Sequence, residues 1–161
     1  MRMLVAALAA ALSLPAFGLA VGDAAPPFAL ATAAGETIGL ERLRGNVVYV
    51  DFWASWCGPC KRSFPWMNAL QKKYGAKGLA IVAVNVDKKR PDAERFLAQT
   101  PAEFTIVYDA AGATPAAWGV KGMPSSYLLD SAGRVVAVEQ GFRDDGAAAL
   151  DAQIGALLTG K

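Results

Sequence analysis

The sequence predicts an α/β domain in which a central mixed β-sheet carries helices on both faces. Three observations lead there. The stretches 47–53 (VVYVDFW) and 79–86 (LAIVAVNV) are short, apolar and rich in β-branched residues, as strands buried on both faces are. Stretches with helical spacing of apolar residues alternate with them, which favours parallel pairing in the middle of the sheet. Two further strand candidates, 126–129 and 135–140, flank Asp130-Ser131-Ala132-Gly133-Arg134, the turn of an antiparallel hairpin.

Taken in order, the elements start after the pair Pro26-Pro27. Residues 28–30 and 37–40 are short extended segments around the turn Ala33-Ala34-Gly35, an N-terminal β-hairpin extension. Residues 40–43 fit one helical turn, closed by Arg44-Gly45-Asn46. After the strand at 47–53, residues 59–74 form a helix: Phe64, Met67, Leu70 and Tyr74 share a stripe, and Lys61, Arg62, Lys72 and Lys73 lie mostly off it. Pro59 takes its first position, Pro65 bends it and Gly75 ends it. A helix over 92–99 follows Pro91, with Phe96 and Leu97 facing inward. Residues 104–108 make a third strand, 114–118 a helical turn, and 147–158 a closing amphipathic helix. The polar run 87–90 reads as a solvated loop.

Composition narrows the function. The chain has 161 residues, which suggests one main domain. Its 16 basic and 14 acidic residues leave a net charge of +2, so no nucleic acid or anionic membrane surface is implied as a partner. Residues 1–20 begin with Arg2, continue through an uncharged apolar run with Pro15, and end in Gly18-Leu19-Ala20. That is the order of parts in a secretory signal peptide cut after Ala20, which leaves residues 21–161 as the folded, exported (periplasmic) domain. An uncleaved membrane anchor over 3–21 is the alternative.

Export bears on the two cysteines, Cys57 and Cys60. An oxidising compartment closes such a pair into a disulfide. A staple across two residues adds little stability, because the stabilisation grows with loop length. There is no histidine anywhere in the chain. A zinc site therefore has too few soft ligands, and Cys–His and Ser–His nucleophile pairs are excluded. No metal is expected, and redox chemistry remains. Cys57 stands between a buried strand and a helix, where N–H groups and the helix dipole favour a thiolate. It is the expected nucleophile, exposed, with Cys60 one turn deeper to resolve the mixed disulfide. Gly58 leaves room for a partner backbone, and Trp56 lies beside the disulfide as a packing surface for it. Trp53, on the strand, belongs to the core.

The segment Asp51 to Cys60, DFWASWCGPC, resembles the active-site segment of thioredoxins. With its leader, the chain resembles the exported TlpA/ResA (DsbE-like) branch of thioredoxin-like thiol–disulfide oxidoreductases. The hairpin at 25–40, an insert over 86–103 and the segment Val120-Lys121-Gly122-Met123-Pro124-Ser125-Ser126 are similar to features of that branch. The resemblance implies a thioredoxin-like fold. It implies Cys57 as attacking and Cys60 as resolving cysteine, Pro124 as a cis-proline facing the disulfide, and Met123 as a backbone contact for an extended substrate. It also implies Asp51 as the buried acid that takes the proton of Cys60. One departure stands out. The branch often has Asn at the place of Asp51 and Glu three residues after the second cysteine, where this chain has Ser63.

The dipeptide Gly58-Pro59 between the cysteines is that of reducing thioredoxins, nearer ~−270 mV than the ~−120 mV of a strong oxidant. The expected activity is reduction of protein disulfides, with the Cys57–Cys60 pair as the redox group and no other cofactor. The resemblance further implies an exported protein disulfide as client, such as apocytochrome c, a membrane thiol reductase of the DsbD/CcdA kind as electron donor, and a monomer. Disulfide oxidation or isomerisation and thiol peroxidase activity are the alternative chemistries. A peroxidase would want a Thr or Ser and an Arg framed around Cys57. A non-catalytic carrier of copper would want a histidine.

Overall fold

A computed structural model describes residues 18–160. Residues 1–17, and with them most of the signal-peptide reading over 1–20, lie outside them. Seven strands form one mixed sheet in the order β2-β1-β5-β4-β3-β6-β7. They are β1 Ala29–Ala31, β2 Thr37–Gly39, β3 Val47–Trp53, β4 Leu79–Asn85, β5 Thr105–Tyr108, β6 Ser125–Leu129 and β7 Val135–Gln140. The helices are α1 Cys60–Tyr74, α2 Arg90–Gln99, α3 Ala113–Ala117 and α4 Asp144–Thr159, with a 3₁₀ turn at Leu40–Leu43.

β3 is the centre of the architecture. It pairs parallel with β4 and antiparallel with β6, and every one of its residues is buried. A strand covered on both faces reads as continuous hydrophobicity, so the 47–53 run was legible as it stands. Side chains alternate between faces. Val47, Tyr49 and Trp53 pack in one cluster with Cys60, Phe64, Met67 and Leu70 of α1, Phe96 of α2, and Leu150 and Ile154 of α4. Val48, Val50 and Phe52 pack on the opposite face with Phe28, Leu40, Val107, Trp118 and Tyr127. Three of the four helices therefore share one face, and the other is covered by the N-terminal segment, the 3₁₀ turn and Trp118 beyond α3. The Trp118 indole N–H donates to Pro26 O at 3.2 Å, fastening the entry of the domain to that second layer. Leu19 also reaches this layer, its N–H donating to Trp118 O at 3.4 Å.

Several boundaries differ from the expectation. α1 starts at Cys60, with Pro59 as its cap at φ −60 and ψ −26. Pro59 has helical backbone angles, yet the N–H groups of Cys60 and Lys61 bond back only three residues, to Cys57 O and Gly58 O, so the first turn is 3₁₀-like. α2 begins two residues early, at Arg90, and takes Pro91 into its first turn. α4 begins at Asp144, three residues early, with Asp144 and Asp145 in the first turn, where carboxylates suit the helix dipole. Pro65 sits inside α1 on its exposed face. None of the helices among the described residues is long and apolar enough to cross a membrane.

Candidate active site: a disulfide at the start of a helix

Cys57 and Cys60 are joined by a disulfide, S–S 2.03 Å, with Cα atoms 5.4 Å apart. The chain leaves the carboxyl end of β3, turns through 54–59 and enters α1, so the pair sits where the parallel strands point and a helix begins. Open α/β sheets present their sites at that end. The backbone N–H of Cys60 donates to Cys57 Sγ at 3.3 Å. After reduction the same N–H and the start of α1 face whatever charge Cys57 carries, which favours its thiolate.

Access is less open than the sequence suggested. Cys57 is 4% exposed and Cys60 is 0% exposed. Cys57 is buried in the oxidised state because its sulfur turns toward Cys60 and under the helix start, and only the order of access is as expected. Trp56, by contrast, is 71% exposed beside it. Gly58 and Pro59 are also exposed, and a Cβ on Gly58 would meet nothing within 4 Å. Met123 is partly buried against the cluster that holds both cysteines, and the Met123–Pro124 peptide bond is cis. Trp53 is core, its ring 5.0 Å from Phe64 and 4.9 Å from Phe96.

Asp51 lies on β3 between Tyr49 and Trp53, and period-two alternation directs its side chain to the α1 face, the face of Cys60. It is 1% exposed, and its Oδ2 has no hydrogen-bond partner. Burial alone pushes its carboxyl well above the ordinary range. Tyr49 feels the same surroundings: burial first, then the charge of Asp51, raise its hydroxyl. Ser63, in the place where the TlpA/ResA branch often has a glutamate, is buried and donates its hydroxyl to Cys60 O at 3.1 Å. It braces the first turn of α1 and leaves Asp51 as the acid on that face of β3.

A family model, Redoxin, matches residues 20–154. The chain belongs to the Redoxin family. It is similar to the thiol-disulfide oxidoreductase ResA of Geobacillus thermodenitrificans, 38% identical over 117 residues, which cover 73% of this chain and 67% of that protein. The ResA of Bacillus subtilis is 35% identical over 120 residues, covering 74% and 67%. In structure it resembles a candidate thiol:disulfide interchange protein DsbE from Chlorobium tepidum, with TM-score 0.84 and 55% identity over 87% of this chain and 99% of the other. With its Cys57–Cys60 disulfide, this redoxin is a thiol–disulfide oxidoreductase of the ResA/DsbE type with a thioredoxin-like fold.

One residue of the redoxin's site escaped the sequence reading. Asp87, assigned there to a solvated loop, is 5% exposed. Its carboxylate accepts from Ser55 N at 2.9 Å, Ser55 Oγ at 2.8 Å and Asn85 Nδ2 at 2.7 Å. Asn85 Oδ1 in turn accepts from Asp87 N at 3.1 Å. The carboxylate thereby holds the loop before Cys57 to the end of β4. The only signal in the sequence was an Asn-x-Asp at the end of a buried strand. Asp87→Ala leaves the Ser55 N–H and the Asn85 amide without their acceptor, and a buried donor left unpaired costs about 1–3 kcal/mol. A loss of about 2 kcal/mol in urea unfolding of the oxidised protein is expected; an unchanged midpoint would mean the clamp holds nothing.

Proposed function

We propose that this redoxin reduces disulfides of exported proteins by dithiol exchange. The observation that carries the reading is the disulfide at the helix start on the same face as a buried, unpaired Asp51, in a chain without histidine. In the reduced protein the Cys57 thiolate attacks one sulfur of the client disulfide, forming a mixed disulfide and releasing the other client sulfur as a thiolate. Asp51, as carboxylate, takes the proton from Cys60. The Cys60 thiolate then attacks Cys57 Sγ, closing the Cys57–Cys60 bond and releasing the client's second thiolate. Two electrons pass from the dithiol to the client.

Around this step the client is held by groups near the cysteines. Trp56 offers an exposed apolar face, and Gly58 and Pro59 let a backbone come close. The Met123 N–H and C=O, which have no backbone partner among the described residues, are available to an extended segment. Pro124 shapes the loop that presents them.

The direction of electron flow is read from Gly58-Pro59 and from the absence of a histidine that would stabilise the reduced form of a strong oxidant. The apolar leader at 1–20 with its single Arg2 supports export to the periplasm. There the protein needs a donor, and a membrane thiol reductase of the DsbD/CcdA kind supplies the chemistry. Apocytochrome c, whose cysteines must be reduced before haem attachment, fits as a client. Equilibration of the Cys57–Cys60 couple in thiol redox buffers, followed by tryptophan fluorescence, tests the reading. A potential below about −240 mV is expected, and one above about −180 mV would make the protein a donor of disulfides.

A further inference from the structure

Three polar side chains stand in one row across the sheet. Asp51 of β3 is opposite Ser126 of β6, and Ser126 is opposite Glu139 of β7. Directly opposed residues have Cβ atoms about 4.5–5.5 Å apart and share a face. That face is the one α1 and α4 cover. Tyr49 joins the row by donating its hydroxyl to Ser126 Oγ at 2.7 Å, which leaves Ser126 its own hydrogen to donate. The row begins with an enclosed carboxylate and ends on an edge strand, where Glu139 is only partly buried. Tyr49, Ser126 and Glu139 also line one small cleft, together with Arg143 and Gly146 at the start of α4. Glu139 Oε2 lies 3.6 Å from where a Cβ on Gly146 would stand.

Packing gives no reason for this row. Leu128 and Ala137, opposed to each other one step along the same two strands, serve the core with apolar side chains, and polar groups on a covered sheet face are costly unless paired. The proton balance of the reaction does give one. Burial favours the neutral form of Asp51, so its own proton must leave before it can take that of Cys60. The way out past the cysteines is narrow, since Cys60 is fully buried and Cys57 nearly so. It narrows further when a client covers Trp56 and Cys57. The cleft between β7 and α4 is a separate opening, lined by none of Trp56, Cys57, Gly58, Pro59 and Met123.

We propose that the proton of Asp51 leaves along the row, with Ser126, held by Tyr49, as the relay and Glu139 as the outward acceptor that passes it to water. In this step Asp51 goes from acid to carboxylate, Glu139 gains and then loses one proton, and no electrons move. The inference rests on Asp51 being the proton acceptor for Cys60. The titratable and charged groups around the row are Tyr49 and Asp51 on β3, Cys60 and Arg62 on α1, Glu139 on β7, and Arg143, Asp144 and Asp145 at the start of α4; Arg62 donates to Phe142 O, at the cleft, at 3.4 Å. Arg143 and Asp145 pair with each other at 3.4 Å.

The test is the rate at which the reduced protein closes its own disulfide after mixing with an excess of a disulfide peptide, in H₂O and in D₂O, across pH 5–9. Wild type, Glu139→Gln, Ser126→Ala and Asp51→Asn are compared, each first shown to unfold cooperatively. Glu139→Gln and Ser126→Ala are expected to slow closure about fivefold below neutral pH with a larger solvent isotope effect. Added acetate should restore Glu139→Gln. The first attack by Cys57, read in a Cys60→Ser background, should not change. If Asp51→Asn slows closure while Glu139→Gln and Ser126→Ala close at the wild-type rate and isotope effect, the row is not the route. If Glu139→Gln is slow but indifferent to acetate and D₂O, its role is structural and the proposal also fails. If Asp51→Asn itself closes normally, the reading of Asp51 fails first and takes the relay with it.

Discussion

Cys60→Ser should turn the enzyme into a trap for its clients. The Cys57 thiolate still attacks, but no second thiol one turn away can release the mixed disulfide, so the adduct accumulates and turnover falls by on the order of 10³-fold or more. The geometry sets which cysteine does this: Cys57 keeps a little surface beside exposed Trp56, and Cys60 has none. Non-reducing electrophoresis of Cys60→Ser mixed with a disulfide-bonded client should show one stable adduct that dithiothreitol removes. Cys57→Ser should show none. Adducts on Cys57→Ser in place of Cys60→Ser would reverse the two roles.

Asp51→Asn is expected to stabilise the protein and slow it at once. The unfolded chain releases the Asp51 proton near its ordinary value of 3.8, whereas burial holds that proton on in the folded state to a higher pH. Between those two values the folded state binds more protons than the unfolded one, so stability falls as pH rises through the window and levels off above it. The stability is thus fully present below pH 3.8 and lost as the folded carboxyl ionises. Asn at this place cannot ionise, so its unfolding free energy should lack that downward slope. Its gain at neutral pH should be about 1–3 kcal/mol, the size of the penalty for an unsatisfied buried polar group. The same change should slow closure of the Cys57–Cys60 disulfide by about 10²-fold, within the span for loss of a positioned base. Urea unfolding of both proteins between pH 4 and 9 tests the first part, and equal slopes would show that Asp51 is paired or hydrated in the native state. A buried carboxylate that costs stability and raises rate is the trade expected at a working site.

Much of this was legible along the chain because the relevant physics is local. A seven-residue apolar run has to be a strand covered on both faces, and one acid inside it has to be buried with it, so Asp51 could be singled out from Val47–Trp53 alone. Two cysteines at the junction of that strand and a helix, with no histidine in the chain, already restricted the chemistry to thiol redox reactions. What stayed hidden depends on contacts between residues far apart in the chain. Asp87 reads as one more charge in the run Asp87-Lys88-Lys89-Arg90, and only its contact with Ser55, 32 residues earlier, reveals a buried clamp. Cys57 reads as an exposed nucleophile, and only the folded loop shows how little of it is open.

The row that ends at Glu139 marks the boundary most sharply. The hairpin turn pairs Leu129 with Val135, and that register carried on unchanged would set Ser126 opposite Val138. β7 instead takes up one extra residue between Val135 and Ala137, and from there Leu128 pairs with Ala137 and Ser126 with Glu139. A slip of one residue exchanges the two faces of a strand, so this irregularity decides whether a carboxylate or a valine faces the row that starts at Asp51. The sequence by itself determined the strands, the presence of the helices and the redox pair, because periodicity and turn chemistry act over a few residues. Which side chains meet across the sheet was decided only by the tertiary structure, since register is settled by the packing of both faces together.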